Sequence, residues 1–105
     1  MQNLTQLQWA KSIKSDENSV ILDVRTPGEC CSGIIENSLN IDIMDASNFF
    51  SEIEKLDKSK SYYIYCHSGA RSYQACLMME QHDFQHVFNL MGGIMEWQEE
   101  VVFPD

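Results

Sequence analysis

Tyr62-Tyr63-Ile64-Tyr65-Cys66-His67-Ser68-Gly69-Ala70-Arg71-Ser72 is the stretch on which the fold turns. Its first five residues are an unbroken apolar run, rich in aromatic and β-branched side chains, and predict a buried strand. A short loop of small and polar residues follows, and then a helix from about Arg71 to His82. In such a strand–loop–helix unit, the backbone N–H groups of residues 67 to 71 can converge on one point, as an anion-binding nest. The helix N-terminus adds a partial positive charge there and Arg71 a full one. An Arg charge about 4 Å from a thiolate is worth up to ~4 kcal/mol at an effective dielectric near 20, and the helix end adds about 0.3–2 kcal/mol. That favours the thiolate near neutral pH. Cys66 is thereby predicted to be an activated nucleophile rather than an inert thiol at the end of a core strand.

Outward from this unit, strands and helices alternate. Thr5 and Gln8 form a capping box for a first helix, with Leu4 and Trp9 at the positions of a hydrophobic staple. Leu7, Ala10 and Ile13 would face the core, and Asp16-Glu17-Asn18 would end that helix. Val20-Ile21-Leu22 predicts a buried strand, and Pro27-Gly28 a turn. A loop with Cys30, Cys31 and Gly33 leads to a weak strand at 39–41. Ala46, Phe49, Phe50, Ile53 and Leu56 recur at helical spacing. Beyond the central helix, Val87 to Leu90 is a strand, Gly92-Gly93 a breaker, and Ile94 to Gln98 a short helix. This order predicts an α/β fold with a parallel sheet covered on both faces. In such folds the site lies beyond the carboxyl ends of the strands, where Cys66 stands.

The chain has 105 residues, the length of one domain. Sixteen acidic residues against seven basic ones give a net charge of −9. That field opposes nucleic acid and anionic membranes as partners. No apolar run approaches the ~20 residues of a membrane span, and the N-terminus has no signal-peptide pattern. A cytoplasmic chain that keeps Cys30, Cys31, Cys66 and Cys76 as thiols is therefore expected. Their spacing fits no zinc template, so no metal site is expected.

These motifs resemble the rhodanese family over nearly the whole chain. Leu22-Asp23-Val24-Arg25-Thr26-Pro27-Gly28-Glu29 is similar to its first signature, and Gly33, Ile35, Asn40 and Ile41 match the segment after it. The stretch from Cys66 to Ser72 looks like its active loop. Ala75, Phe84, Val87, Leu90, Gly92, Gly93 and Trp97 fit its C-terminal stretch. The resemblance implies a single domain, residues 1–105, built on a central parallel five-stranded sheet with helices on both faces.

It also implies a sulfurtransferase. Cys66 would take a sulfane sulfur from thiosulfate, a polysulfide or a persulfide, hold it as a persulfide, and pass it to a thiol or cyanide. No metal or organic cofactor is needed, and a persulfide-carrying protein is a further candidate partner. His67, Ser68, Gly69, Ala70 and Arg71 would bind the transferred group, with Arg71 anchoring the loop and holding negative charge. Asp23, Arg25 and Ser72 would support the site, Arg25 by pairing with Asp23 or Glu29.

Some positions depart from the family pattern. Ile34 stands where His or Lys is frequent, Asn37 and Asp83 where Gly is usual, Cys30 where an aromatic is common, and His67 where Arg or Lys often follows the nucleophile. The less basic mouth favours a polysulfide or protein persulfide over the thiosulfate dianion. Cys76 is expected in the core, on a helix face with Tyr73 and Met79. Cys30 and Cys31 are expected as surface loop thiols, His82 and His86 as solvated side chains, and Met78-Met79 as core filler.

Two other functions compete. A cysteine-dependent phosphatase, or an arsenate reductase of related fold, also uses a loop of amides closed by Arg. Phosphatase loops place five residues between Cys and Arg, whereas here four intervene, a cradle suited to a single sulfur. A non-enzymatic binding module of this fold would not need the intact pair Cys66 and Arg71.

Overall fold

The computed structural model describes residues 1–104; Asp105, the last of the acidic residues after Arg71, lies outside them. The chain runs β1 (Gln2–Leu4), α1 (Gln6–Lys14), β2 (Ser19–Asp23), α2 (Pro27–Cys30), β3 (Ser38–Asn40), α3 (Ala46–Ile53), β4 (Ser61–Tyr65), α4 (Ala70–Gln81), β5 (His86–Leu90) and a 3-10 turn at Ile94–Glu96. The five strands form one sheet in the order β1-β5-β4-β2-β3, and every neighbouring pair is parallel.

Strand β4 shows why both faces are covered. Its side chains alternate across the sheet, as a two-residue period requires. Tyr62, Ile64 and the following Cys66 pack with Phe49 and Ile53 of α3 and with Ala75, Cys76 and Met79 of α4. Tyr63 and Tyr65 pack on the opposite side with Trp9 of α1, Ile35 and Leu90, supported by Ile94 and Trp97. Trp9 is fully buried and stands edge-on to Tyr63, Tyr65 and Trp97, with ring centroids 6.1, 6.1 and 5.5 Å away. Truncating such a residue costs about 3–5 kcal/mol.

The capping box at Thr5 and Gln8 is present: the Gln8 N–H donates to Thr5 Oγ1 at 3.3 Å, and the Thr5 N–H to Gln8 Oε1 at 3.1 Å. Leu7 does not face the core as its spacing predicts; it is 77% exposed, and Trp9 fills the inward position. The predicted turn at Pro27-Gly28 is instead the start of α2. Thr26 caps it, Pro27 occupies its first turn, and Glu29 returns the capping bond to the Thr26 N–H at 3.1 Å. Helix α4 ends with Asp83 at φ +71°. The Phe84 N–H reaches the Met79 carbonyl at 3.1 Å and the Asp83 N–H the Glu80 carbonyl at 3.2 Å, a Schellman arrangement. No described helix is long and apolar enough to cross a membrane.

Candidate active site

Cys66 follows β4 at the carboxyl edge of the sheet, where parallel strands leave their ends open to a ligand. What aims the loop is its backing. The carbonyls of Cys66 and His67 accept from the N–H groups of Ile94 and Met95, both at 2.9 Å. Those carbonyls therefore point away from the thiol, and the loop amides are free to point inward. The fit leaves no room for a side chain at Gly93, where a Cβ would lie 2.3 Å from the His67 carbonyl oxygen. Gly69, at φ +104°, is the N-cap of α4 and is closed off by the backbone of Leu90 and Gly92.

The sulfur of Cys66 accepts from the Gly69 N–H at 3.1 Å and from the Ser72 hydroxyl at 3.3 Å. Burial by itself pushes this thiol's pKa up. The Ser72 hydroxyl and the amides of Ser72, Gly69 and Ser68 outweigh burial and hold it below the ordinary thiol value. Cys66 is fully covered, whereas His67, Ser68 and Ala70 are exposed around it.

Arg71 pairs with a carboxylate outside the loop. Its guanidinium turns to the Glu29 carboxylate, Nη1 to Oε1 and Nη2 to Oε2, each at 2.7 Å. This fork clamps the first turn of α4 to α2, and Arg71 drives the Glu29 pKa down to about 2. The charge paired directly with Arg71 is thus that of Glu29, while hydrogen bonds from Ser72, Gly69 and Ser68 hold the thiol down. Arg25 takes the other expected carboxylate. Its Nη2 donates to Asp23 Oδ2 at 2.7 Å and to the Gly33 carbonyl at 2.8 Å, inside the fold. From Glu29 it takes only the carbonyl oxygen, at 3.3 Å. Arg25, Glu29, Ser32 and His67 line a recess of about 260 Å³.

The remaining cysteines separate clearly. Cys76 is in the core, and burial pushes its thiol up to about 12. Tyr73, expected on the same face, is half-exposed instead. Cys30 is not a surface thiol: it is buried 3.5 Å from Asp23 Oδ2, and burial together with Asp23 pushes it up to about 11. Cys31 beside it is exposed. His86 is exposed, whereas His82 Nδ1 lies 2.9 Å from Glu54 Oε1 and against the Phe50 ring. Among the described residues no cluster of His, Cys, Asp and Glu could hold a metal ion.

Two residues named in the sequence as motif matches have supporting contacts that the sequence reading did not assign to them. Asn40 Nδ2 donates to the carbonyls of Asp23 and Arg25, both at 2.9 Å, and so fixes the β2 exit. Glu29 is the partner of Arg71, 42 positions away. The Thr26-Glu29 capping pattern was the available signal for a rigid Glu29 backbone.

The chain as a whole is similar to known proteins. A protein named sulfurtransferase from Allochromatium vinosum is 38% identical over 88 residues, which cover 84% of this chain and 79% of the relative. A tRNA uridine(34) hydroxylase from Pelagibacter ubique is 31% identical over 94 residues, 90% of this chain and 31% of that protein. The crystal structure of a rhodanese-like domain protein from Staphylococcus aureus superposes with a TM-score of 0.85 at 24% identity, covering all of both chains, and so shares the fold. The rhodanese-like domain family matches residues 6–100, from the start of α1 to beyond the 3-10 turn, and the chain belongs to that family.

Proposed function

We propose that this domain is a sulfurtransferase that carries a sulfane sulfur on Cys66. The observation that supports it most is the sulfur environment: one thiol accepts hydrogen bonds from the Gly69 N–H and the Ser72 hydroxyl in a loop with amides turned inward. The Cys66 thiolate attacks the outer sulfur of a persulfide, R–S–SH. The S–S bond of the donor breaks, R–S⁻ leaves, and Cys66 becomes Cys–S–SH. An acceptor thiolate then attacks the outer sulfur, takes it as a new persulfide and returns Cys66 as thiolate.

A persulfide, on a protein or a small thiol, is the favoured donor. Arg25 and Arg71 are both engaged by carboxylates, and thiosulfate must approach a chain of net charge −9. The same charge opposes RNA as a partner, and the relative named for tRNA hydroxylation is about three times as long as the part this chain matches. The four-residue interval between Cys66 and Arg71 favours sulfur over phosphate or arsenate. Intact-mass analysis after exposure to polysulfide, and separately to thiosulfate, tests the reading. The protein should gain one sulfur that a thiol reductant removes; Cys66→Ser should abolish the gain and Cys76→Ser should keep it. Sulfur uptake that survives in Cys66→Ser would refute the assignment.

A further inference from the structure

Strand β5 carries a buried amide where an apolar side chain would pack more simply. Asn89 is 3% exposed, between Phe88 and Leu90. Its Nδ2 donates to the Gly69 carbonyl at 3.3 Å and to Asn3 Oδ1 on β1 at 2.9 Å, while its own Oδ1 is buried without a partner. A half-satisfied buried amide is unfavourable for the fold. What it supplies is one donor aimed at the active loop.

Gly69 needs that donor. Glycine swivels more freely than any other residue, and Gly69 is the N-cap of α4 with no side-chain cap of its own. Its N–H belongs to the peptide plane that faces the Cys66 sulfur. Its carbonyl belongs to the next plane, which is held by the Tyr73 N–H at 3.1 Å from α4 and by Asn89 from the sheet. Helix and sheet thus grip one carbonyl from two sides. Elsewhere the backing of the loop comes from backbone groups, at Ile94 and Met95.

We propose that Asn89 is a positioning residue: its amide ties the Gly69 carbonyl to β5, so that the Gly69 N–H stays directed at the Cys66 sulfur. Asn3 holds the Asn89 amide in the orientation that makes this bond. The proposal rests on the sulfur-carrying reading of Cys66, but its test does not use sulfur transfer. Arg71 and the buried Cys76 interact electrostatically with the sulfur, whereas the Asn89 amide hydrogen-bonds to Asn3 and Gly69.

The test is the pH dependence of Cys66 alkylation by iodoacetamide, followed by peptide mapping. Asn89→Leu removes both the donor and the unpaired oxygen and keeps the branching at the γ position. Its melting temperature should hold or rise, while the pH midpoint for Cys66 should move up by about half a unit to one unit, as for loss of one hydrogen bond to a thiolate. Asn3→Ala, at an exposed position, should move it the same way by a smaller amount, and should add nothing in the Asn89→Leu background. A merely structural role would lower the melting temperature and leave the midpoint in place. An unchanged midpoint in folded Asn89→Leu overturns the proposal; if that variant does not fold, an unchanged midpoint in Asn3→Ala overturns it. A shifted midpoint in a domain that never acquires sulfur would sustain the positioning role and refute the sulfurtransferase reading.

Discussion

Arg71 and Glu29 meet fork to fork, with two parallel N–H to oxygen contacts of 2.7 Å joining α4 to α2 across the edge of the site. The pair is about a third exposed, so it is reachable by solvent yet geometrically fixed. Its pH signature follows from Glu29, whose folded pKa of about 2 lies below the ordinary 4.5. A depressed carboxylate contributes stability above its unfolded pKa and loses it as pH falls through the folded one. Thermal melts of Glu29→Gln and wild type should therefore differ at pH 7, by about 1 kcal/mol once solvent screening is allowed for. The difference should vanish between about pH 4.5 and 2. Parallel curves across that window would show that the pair does not act through charge.

Ser72 and Arg71 should be separable by the same alkylation profile. The Ser72 hydroxyl touches the sulfur, whereas the Arg71 guanidinium is occupied by Glu29. Ser72→Ala should raise the pH midpoint of Cys66 alkylation by roughly one unit, the loss of one hydrogen bond to a charged group. Arg71→Lys should move it less, yet lower kcat/KM about tenfold or more, because an ammonium cannot reproduce the two-pronged contact. A larger midpoint shift in Arg71→Lys than in Ser72→Ala would reverse this assignment.

Asp83 tests the end of α4. It sits exposed at φ +71°, a conformation that strains any residue with a Cβ. Asp83→Gly should be neutral or stabilising by up to ~1 kcal/mol, with relief of strain set against a more flexible unfolded chain. Denaturant unfolding measures it, and a clear loss of stability would reveal a role for the carboxylate itself.

Under the proposed function, donor choice turns on His67, the exposed residue beside Cys66. Wild-type kcat/KM should be higher for a cysteine persulfide than for thiosulfate at matched ionic strength. His67→Arg should lower the thiosulfate KM roughly fivefold, the effect of about 1 kcal/mol for one added charge near 4 Å in water. Preference for thiosulfate in the wild type, with no response in the variant, would remove the electrostatic argument.

The alternation of strands and helices and the strand–loop–helix unit around Cys66 were legible because each rests on local pattern, whereas the left-handed Asp83 showed only as a departure from the Gly of the family resemblance. What was missed rests on distance. Strand β1 is three residues long, at the sheet edge, with Gln2 and Asn3 exposed, so no periodicity marks it. The pairing of Arg71 with Glu29 rather than with loop carbonyls depends on how α2 meets α4, which no spacing encodes. Cys30 sits in a segment with the composition of a loop, and its burial follows from the Asp23–Arg25 pair beneath it. The α2 capping box was different: its letters were present, and the Pro27-Gly28 turn signal overrode them.

The full burial of Cys66 bears on timing. Under the proposed function, a sulfur held there is shielded from bulk oxidants and thiols alike until its cover moves, so that delivery should saturate at the rate of that movement however much acceptor is present.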